Sequence, residues 1–263
     1  MGTRRDERLQ RILELLEERG KVETATLAQE LCVTELTVRR DIDHLSGQGI
    51  ARRVYGGLEL NAGRSFEPPF SMRLRKNVDR KKAMARAAVD LVRRGDNIAI
   101  DFGTKAYFVA LEMRERRLQA LVGVSSVQVM EVLGQDSDIH VLIPGGELRP
   151  RELSFYGSTT ERFFREHRWD TAIVSVAGVS VDSDLVSDYN EADAQLKAAM
   201  ISSADQVVLL AEERHLGAVS FSPVGSLSRI TTIVTDAPRG NPVVESLESR
   251  GMTVVHAEHT TTG

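Results

Sequence analysis

An α/β chain in two parts is what the sequence predicts: a small helical head closed by a hairpin, then a larger body on a parallel sheet. Two observations carry this. Over residues 4–60, apolar positions first recur at helical spacing and then give way to two short strands around Gly56-Gly57. From Asn97 onward, near-continuous aliphatic runs alternate with helical segments, the pattern of strands covered on both faces by helices. At 263 residues the chain has room for both a head and a body with its own core.

The first helix spans residues 4–19, with Leu9, Ile12, Leu13 and Leu16 on one face and Gly20 ending it. Val22 can supply a short strand. Thr24 to Leu31 is a second short helix on Leu27 and Leu31, and Cys32-Val33 is a tight connection in which a buried small thiol is expected. Thr34 then caps a third helix, because its hydroxyl can take a backbone N–H left free at the helix start. Val38, Ile42 and Leu45 form that helix's packing stripe. A step of about 100° per residue leaves Leu36, Thr37, Arg39, Arg40 and His44 on its sides and back. Asp41 lies nearer the packed side, as a structural ion-pair partner. Ile50 to Leu60 reads as strand, Gly-Gly turn, strand, carrying Arg52, Arg53 and Tyr55. Helix, helix, turn, helix, hairpin is the winged helix-turn-helix, whose third helix enters the major groove of DNA. An arginine fork there can chelate guanine or grip a phosphate, and wing arginines hold register on the backbone.

These residues carry a resemblance. Thr34-x-x-Thr37-Val38-Arg39-Arg40-Asp41-Ile42 followed by Arg53-Val54-Tyr55-Gly56-Gly57 resembles the DNA-binding signature of the DeoR family of bacterial transcriptional regulators. That family pairs such a head with a sugar-phosphate-sensing domain related in fold to ribose-5-phosphate isomerase. The expected organisation is a DNA-binding domain over 1–60, a linker over 61–76 and an effector-sensing domain over 77–263. The linker holds Gly63, Pro68 and Pro69, with Phe66 and Phe70 able to pin it to the body. Met72 to Arg94 is expected to be largely helical, packing through Met84, Ala87, Ala88 and Leu91. Strands follow at 97–102, 121–124, 139–143, 171–176, 206–210, 231–235 and 252–255, with helices at 105–115, 127–133, 190–203 and 242–250.

Charge is distributed unevenly. Residues 1–60 hold 10 basic and 11 acidic side chains, residues 61–86 hold 8 and 2, and the remainder 16 and 25. A chain with a near-neutral head, a basic collar and an acidic body can bind DNA, since the local field outweighs the net charge of −4, and the collar reads equally as a solvated linker helix. One cysteine excludes an internal disulfide, and no apolar run reaches bilayer length, so a cytoplasmic protein without a membrane partner is expected.

Ligands of open parallel sheets bind beyond the carboxyl ends of the strands. Those ends read Asp101-Phe102-Gly103-Thr104, Ser125-Ser126, Pro144-Gly145-Gly146-Glu147, Ala177-Gly178 and Ala211-Glu212. Small and hydroxyl residues at such turns turn backbone N–H groups toward an anion, which suits a phosphate. Lys105 reads either as a point charge on that phosphate or as a surface lysine at a helix start. The resemblance implies the same site. Its first turn, Asp-x-Gly-(Ser/Thr)-Thr-Thr, corresponds to Asp101 through Ala106, with two hydroxyls lost and Lys105 gained. Its Thr-Asn turn is Ser125-Ser126, while Gly145, Gly146 and Gly157 match. Glu191, Lys197 and Met200 match its helix motif, although six residues apart Glu191 and Lys197 do not share a face closely. Its Ala-Asp-Ser-Ser-Lys turn is Ala211-Glu212-Glu213-Arg214-His215, the acid longer and the lysine replaced by a histidine expected at a surface or turn. The departures fall in the pocket and spare the core, which implies an altered ligand or a weaker phosphate grip. The expected function is a sequence-specific regulator, a repressor on a double-stranded operator, tuned by a small phosphorylated sugar or related metabolite. It would act as a dimer or tetramer and need no cofactor. A sugar-phosphate isomerase with an appended head, and a DNA-bound scaffold with a vestigial pocket, are the alternatives. Spacing shows no metal-ligand cluster and no nucleophile triad.

Overall fold

The computed structural model describes residues 4–47, 51–60, 70–150 and 152–258. Two compact units divide the chain, Met1–Pro68 and Pro69–Gly263. Ile50, Phe66 and positions 61–69 of the expected linker lie outside the described residues.

In the first unit, α1 (Arg4–Arg19) leads into β1 (Lys21–Glu23), α2 (Thr24–Glu30), α3 (Glu35–Gly47), β2 (Ala51–Val54) and β3 (Gly57–Leu60). The strands form an antiparallel sheet in the order β1-β3-β2. Ile12, Leu15, Leu16, Leu27, Val38, Ile42, Leu45 and Leu58 make the core beneath it. The hairpin turns at Tyr55-Gly56, one residue earlier than the expected Gly-Gly pair, and Gly57 belongs to β3. Gly57 pairs with Glu23, and a Cβ there would stand 2.2 Å from the Val22 carbonyl oxygen, so only glycine lets β1 approach. Cys32 is exposed rather than buried. Its positive φ of 51° turns the α2–α3 connection outward and takes the thiol away from the core.

The second unit opens with α4 (Phe70–Arg75) and α5 (Val78–Val89). Met72 to Arg94 was expected to be largely helical, and the helix comes in these two pieces. It is broken at Asn77, which sits at φ 52°, a left-handed position asparagine tolerates, and the helix stops at Val89. Lys81 Nζ folds back onto the carbonyl oxygens of Arg73 and Lys76 and satisfies the broken end. The chain continues through β4 (Asn97–Ile100), α6 (Thr104–Glu115), β5 (Ala120–Val124), α7 (Val127–Leu133) and β6 (Ile139–Leu142). A hairpin of β7 (Glu147–Arg149) and β8 (Ser154–Tyr156) precedes α8 (Ser158–Glu166) and β9 (Trp169–Ser175). Next come β10 (Gly178–Ser180), β11 (Leu185–Asp188), α9 (Glu191–Ser202) and β12 (Ala204–Ala211). The last elements are β13 (Ser222–Gly225), β14 (Thr232–Thr235), α10 (Pro242–Ser249) and β15 (Thr253–His256).

Seven strands form one parallel sheet, β15-β14-β12-β9-β4-β5-β6. Its two faces carry separate cores. Met84, Val109, Met113 and Val129 of α5, α6 and α7 lie on one, with Phe164, Leu196, Met200 and Leu247 of α8, α9 and α10 on the other. The path runs outward from β4 to β6 and then resumes at β9 on β4's other side. The strand order therefore reverses between β4 and β9, and at such a reversal the two connections diverge and leave a crevice. A small antiparallel sheet, β10-β11-β13, stands beside the main one.

Candidate functional site

The head's surface is organised by α3. Thr37 N–H donates to Thr34 Oγ1 at 3.3 Å, the expected cap. Val38, Ile42 and Leu45 are buried, which fixes the helix's rotation and turns Leu36, Arg39 and Arg40 outward; His44 and Thr37 are half-buried at its flanks. Asp41 is also buried. It accepts from Arg8 Nε at 2.5 Å and Nη2 at 3.2 Å, and Arg5 stands 3.6 Å away. This clamp ties α3 to α1 and raises the Arg8 pKa through the Asp41 hydrogen bond. Arg39 pairs loosely with Glu35 one turn back, while Arg40 makes no ion pair among the described residues. On the hairpin, Arg52 pairs across the strands with Glu59, and Arg53 reaches Asp43 on α3. Tyr55, at the tip, is fully exposed.

In the second unit, the reversal between β4 and β9 holds a buried charge cluster. Asp101, one residue past β4, accepts from Ser175 N at 3.0 Å and Ser175 Oγ at 3.2 Å across the crevice. Lys197 of α9 is 3.4 Å from the same carboxylate, hydrogen-bonded to Asp188 at the end of β11, and 4.7 Å above the Phe102 ring. Burial opposes the charge on Lys197, but Asp101, Asp188 and Asp193 outweigh it and raise its pKa. Next to this group, Lys105 Nζ meets Glu212 Oε1 at 3.2 Å, and Glu212 also accepts from Arg214. Burial pulls the Lys105 pKa down. Glu212 is held well below the carboxylate range: burial opposes this, and Lys105 and Arg214 overcome it. Lys105 is thus a buried ion-pair member and not a surface lysine.

Gly103 begins α6 at φ 95°, a conformation open to glycine, and Thr104 is buried behind it. Ser126 caps α7 by accepting from Val129 N–H at 3.4 Å. The backbone at Gly145-Gly146 is closed by Thr160, whose hydroxyl donates to Gly145 O at 2.7 Å. Three buried atoms at these strand ends have no hydrogen-bond partner among the described residues: Asp101 Oδ1, Ser125 Oγ and His215 Nδ1. Asp101 and Ser125 follow directly on the paired residues Ile100 and Val124 of neighbouring strands. His215, expected at a surface, is buried between Glu212 and the small sheet because its turn docks on β10 through Gly217 N–H and Val179 O. Burial, aided by Lys105 and Arg214, pushes its pKa well below the ordinary value, so the ring is neutral.

Asp101, Lys105, Lys197 and Glu212 thus come together, with Gly103, Thr104 and Ser125 at adjoining strand ends. Glu191 does not join them. It is exposed at the start of α9 and accepts from Gln195 one turn on, because α9 turns its Lys197 face to the sheet. Sequence reasoning missed Asp188 and Ser175. The alternation of Val179-Ser180-Val181 and Leu185-Val186-Ser187-Asp188 about an Asp-Ser-Asp turn was the signal for the hairpin that carries Asp188. Among the described residues no group of three His, Cys, Asp or Glu side chains could hold a metal ion, and no helix is long and apolar enough to cross a membrane.

Comparison with known proteins agrees along the chain. A profile of the DeoR-like helix-turn-helix domain matches residues 8–64, and a profile of the DeoR C-terminal sensor domain matches residues 76–237. An uncharacterized HTH-type transcriptional regulator of Bacillus subtilis is 32% identical over 94% of this chain and 95% of that protein. The glycerol-3-phosphate regulon repressor of Escherichia coli is 29% identical over 90% and 92%. Among solved structures, ribose 5-phosphate isomerase A of Methanocaldococcus jannaschii overlaps 53% of this chain and 55% of its own at 20% identity and a TM-score of 0.39. With a matching head and a matching sensor domain on one polypeptide, the chain belongs to the DeoR family of transcriptional regulators.

Proposed function

We propose that this regulator is a repressor whose operator binding is modulated by a phosphorylated sugar or a related small anion. The observation that carries the first half is α3: its rotation is fixed by three buried apolar residues and the Asp41 clamp, and Arg39 and Arg40 stand outward. The proposed DNA contacts are Thr34, Leu36, Thr37, Arg39, Arg40 and His44 in the major groove, with Arg52, Arg53 and Tyr55 of the hairpin on the backbone or minor groove. Support for the second half comes from the three unpartnered polar atoms beside two buried lysines, which a ligand with hydroxyl and anionic groups would satisfy. The proposed effector contacts are Asp101, Gly103, Thr104, Lys105, Ser125, Ser126, Gly145, Gly146, Lys197 and Glu212. The proposed organisation is a head over 1–60, a linker over 61–76 and a sensing domain over 77–263. Named relatives repress sugar-related systems, including the lactose phosphotransferase system of Streptococcus mutans. Family membership makes this a regulator and not an isomerase. Two-fold operators call for two heads, so we also propose a dimer or tetramer.

Arg40→Ala is the test of the DNA surface. Gel-shift binding to the duplex upstream of its target genes should fall at least about tenfold, since an arginine contact to base or phosphate is worth roughly 1–3 kcal/mol. Retained affinity would remove α3 from the interface. Wild-type affinity should also drop steeply as salt rises, because phosphate contacts release counterions.

A further inference from the structure

Three cations at the strand-end site already have carboxylate partners, while Lys81 beside them is held by the backbone carbonyls of Arg73 and Lys76. Lys197 faces Asp101 and Asp188, Lys105 faces Glu212, and Arg73 of α4 faces Glu152. At these three an anion enters by exchange, displacing a carboxylate from its cation. The three pairs do not resist equally. Lys197 and Asp101 are 5% and 1% exposed and enclosed by a second carboxylate. Glu212 is held by both Lys105 and Arg214. Arg73 and Glu152 are 13% and 11% exposed, so Glu152 has the shortest path to water.

Arg73 is also placed to make the exchange. Its Nη2 donates to Glu152, while Nη1 lies 3.5 Å from where a Cβ on Gly103 would stand. The guanidinium thus spans from Glu152 to the start of α6, near Lys105. Glu152 belongs to the β7–β8 turn, which rests on the strand end after β5: Gln128 Nε2 donates to Glu152 O, and Val127 N–H to Leu153 O. The same carboxylate accepts from Phe70 N–H at 3.1 Å, the first residue of α4. Phe70 is the first described residue after the segment that joins the two units.

Building on the reading that these turns bind an anionic effector, we propose that Arg73 is a ligand-binding residue of the site. The effector's anionic group competes with Glu152 for its guanidinium. Drawing Arg73 onto the ligand removes one of the two bonds by which Glu152 holds α4, at the point where the chain leaves for the DNA-binding head. Ligand chemistry is thereby constrained: a neutral polyol satisfies the unpartnered hydroxyl and carboxylate atoms but leaves the Arg73–Glu152 pair closed, so it binds without loosening α4.

The test uses the full chain and three probes, inorganic phosphate, glycerol 3-phosphate and ribose 5-phosphate, titrated by calorimetry. For the probe that binds, Arg73→Gln should weaken affinity about tenfold or more and Glu152→Gln should strengthen it by a similar factor, the scale of one charge-assisted hydrogen bond. Amide hydrogen exchange over residues 70–75 should speed up in wild type on saturation with that probe, and ribose alone should leave it unchanged. Exchange at 70–75 unmoved by a bound probe, unchanged affinity in Arg73→Gln, or weakened affinity in Glu152→Gln would each overturn the proposal. Should Arg73→Gln fail to fold, Glu152→Gln and the wild-type exchange decide. Wild type that binds none of the probes overturns the anion-site reading itself, and the role of Arg73 with it.

Discussion

Replacing Lys197 by methionine isolates what holds the crevice together. Methionine has nearly the same length, so the space stays filled and the change is in charge. The variant leaves Asp101 and Asp188 buried, 1% and 3% exposed, without their ammonium. Removing one partner of a buried pair costs about 3–5 kcal/mol. The lower end applies here, because Asp101 keeps two bonds from Ser175 and Asp188 keeps one from Tyr189 N–H. About 3 kcal/mol corresponds to a fall in Tm of roughly 6–12 °C for a unit of this size. The deficit must also depend on pH. Burial raises the Asp101 pKa and Lys197 opposes that rise, so in the variant its folded pKa stands further above the unfolded value of about 3.9, and the penalty is absent below that value and grows as pH rises through it. The difference between wild type and variant should shrink toward acid by up to about 1.4 kcal/mol per pH unit within that window. Urea unfolding of both proteins at about pH 8 and about pH 5 reads it directly. A deficit under about 1 kcal/mol, or one equal at both pH values, refutes the assignment of Lys197 as the charge that neutralises the crevice.

Three further outcomes follow from single contacts. Gly123→Ala puts a Cβ 2.4 Å from Cη2 of Trp169, so overpacking should cost about 1–3 kcal/mol. Trp169 is the sole tryptophan, and its emission should shift to the red; unaltered emission would show that the sheet absorbs the methyl. Asp41→Asn weakens the clamp between α1 and α3 and should lower protection of their amides by about 1.5–3 kcal/mol in hydrogen exchange, with the second unit unaffected. Lys81, pushed down to about 8 chiefly by burial, binds its proton less tightly folded than unfolded. Wild-type stability relative to Lys81→Met should therefore rise between about pH 8 and about pH 10, and a flat difference would contradict its buried position.

Much of the fold was legible because burial on both faces leaves a continuous aliphatic run. Val207-Val208-Leu209-Leu210 and Thr232-Ile233-Val234-Thr235 can scarcely be anything else between helical segments, and both are central strands. The antiparallel strands β10, β11 and β13 were missed for the opposite reason. They are three or four residues long and rich in Ser, Gly and Asp, and they gain their burial from neighbours distant in sequence. The break at Asn77 was hidden in the same way. Residues 75–82 carry one apolar side chain, Val78, so periodicity neither marks nor denies a break there, and what stabilises it is Lys81 reaching back to the carbonyls of Arg73 and Lys76.

The site divides along the same line. Strand-end turns can be read from sequence because the strands locate them, so Asp101, Gly103, Ser125 and Glu212 were named without coordinates. Their partners were not readable, because pairing is decided across the crevice. Lys197 matched a helix motif together with Glu191, yet 100° per residue places the two on different sides of α9, and only the lysine is buried. Asp188, 87 residues from Asp101, meets the same ammonium only because β11 ends where α9 begins. A sequence motif marks which positions can face a ligand. Which charges are already neutralised, and hence whether a ligand adds to the site or must exchange into it, is set by contacts with long sequence separation.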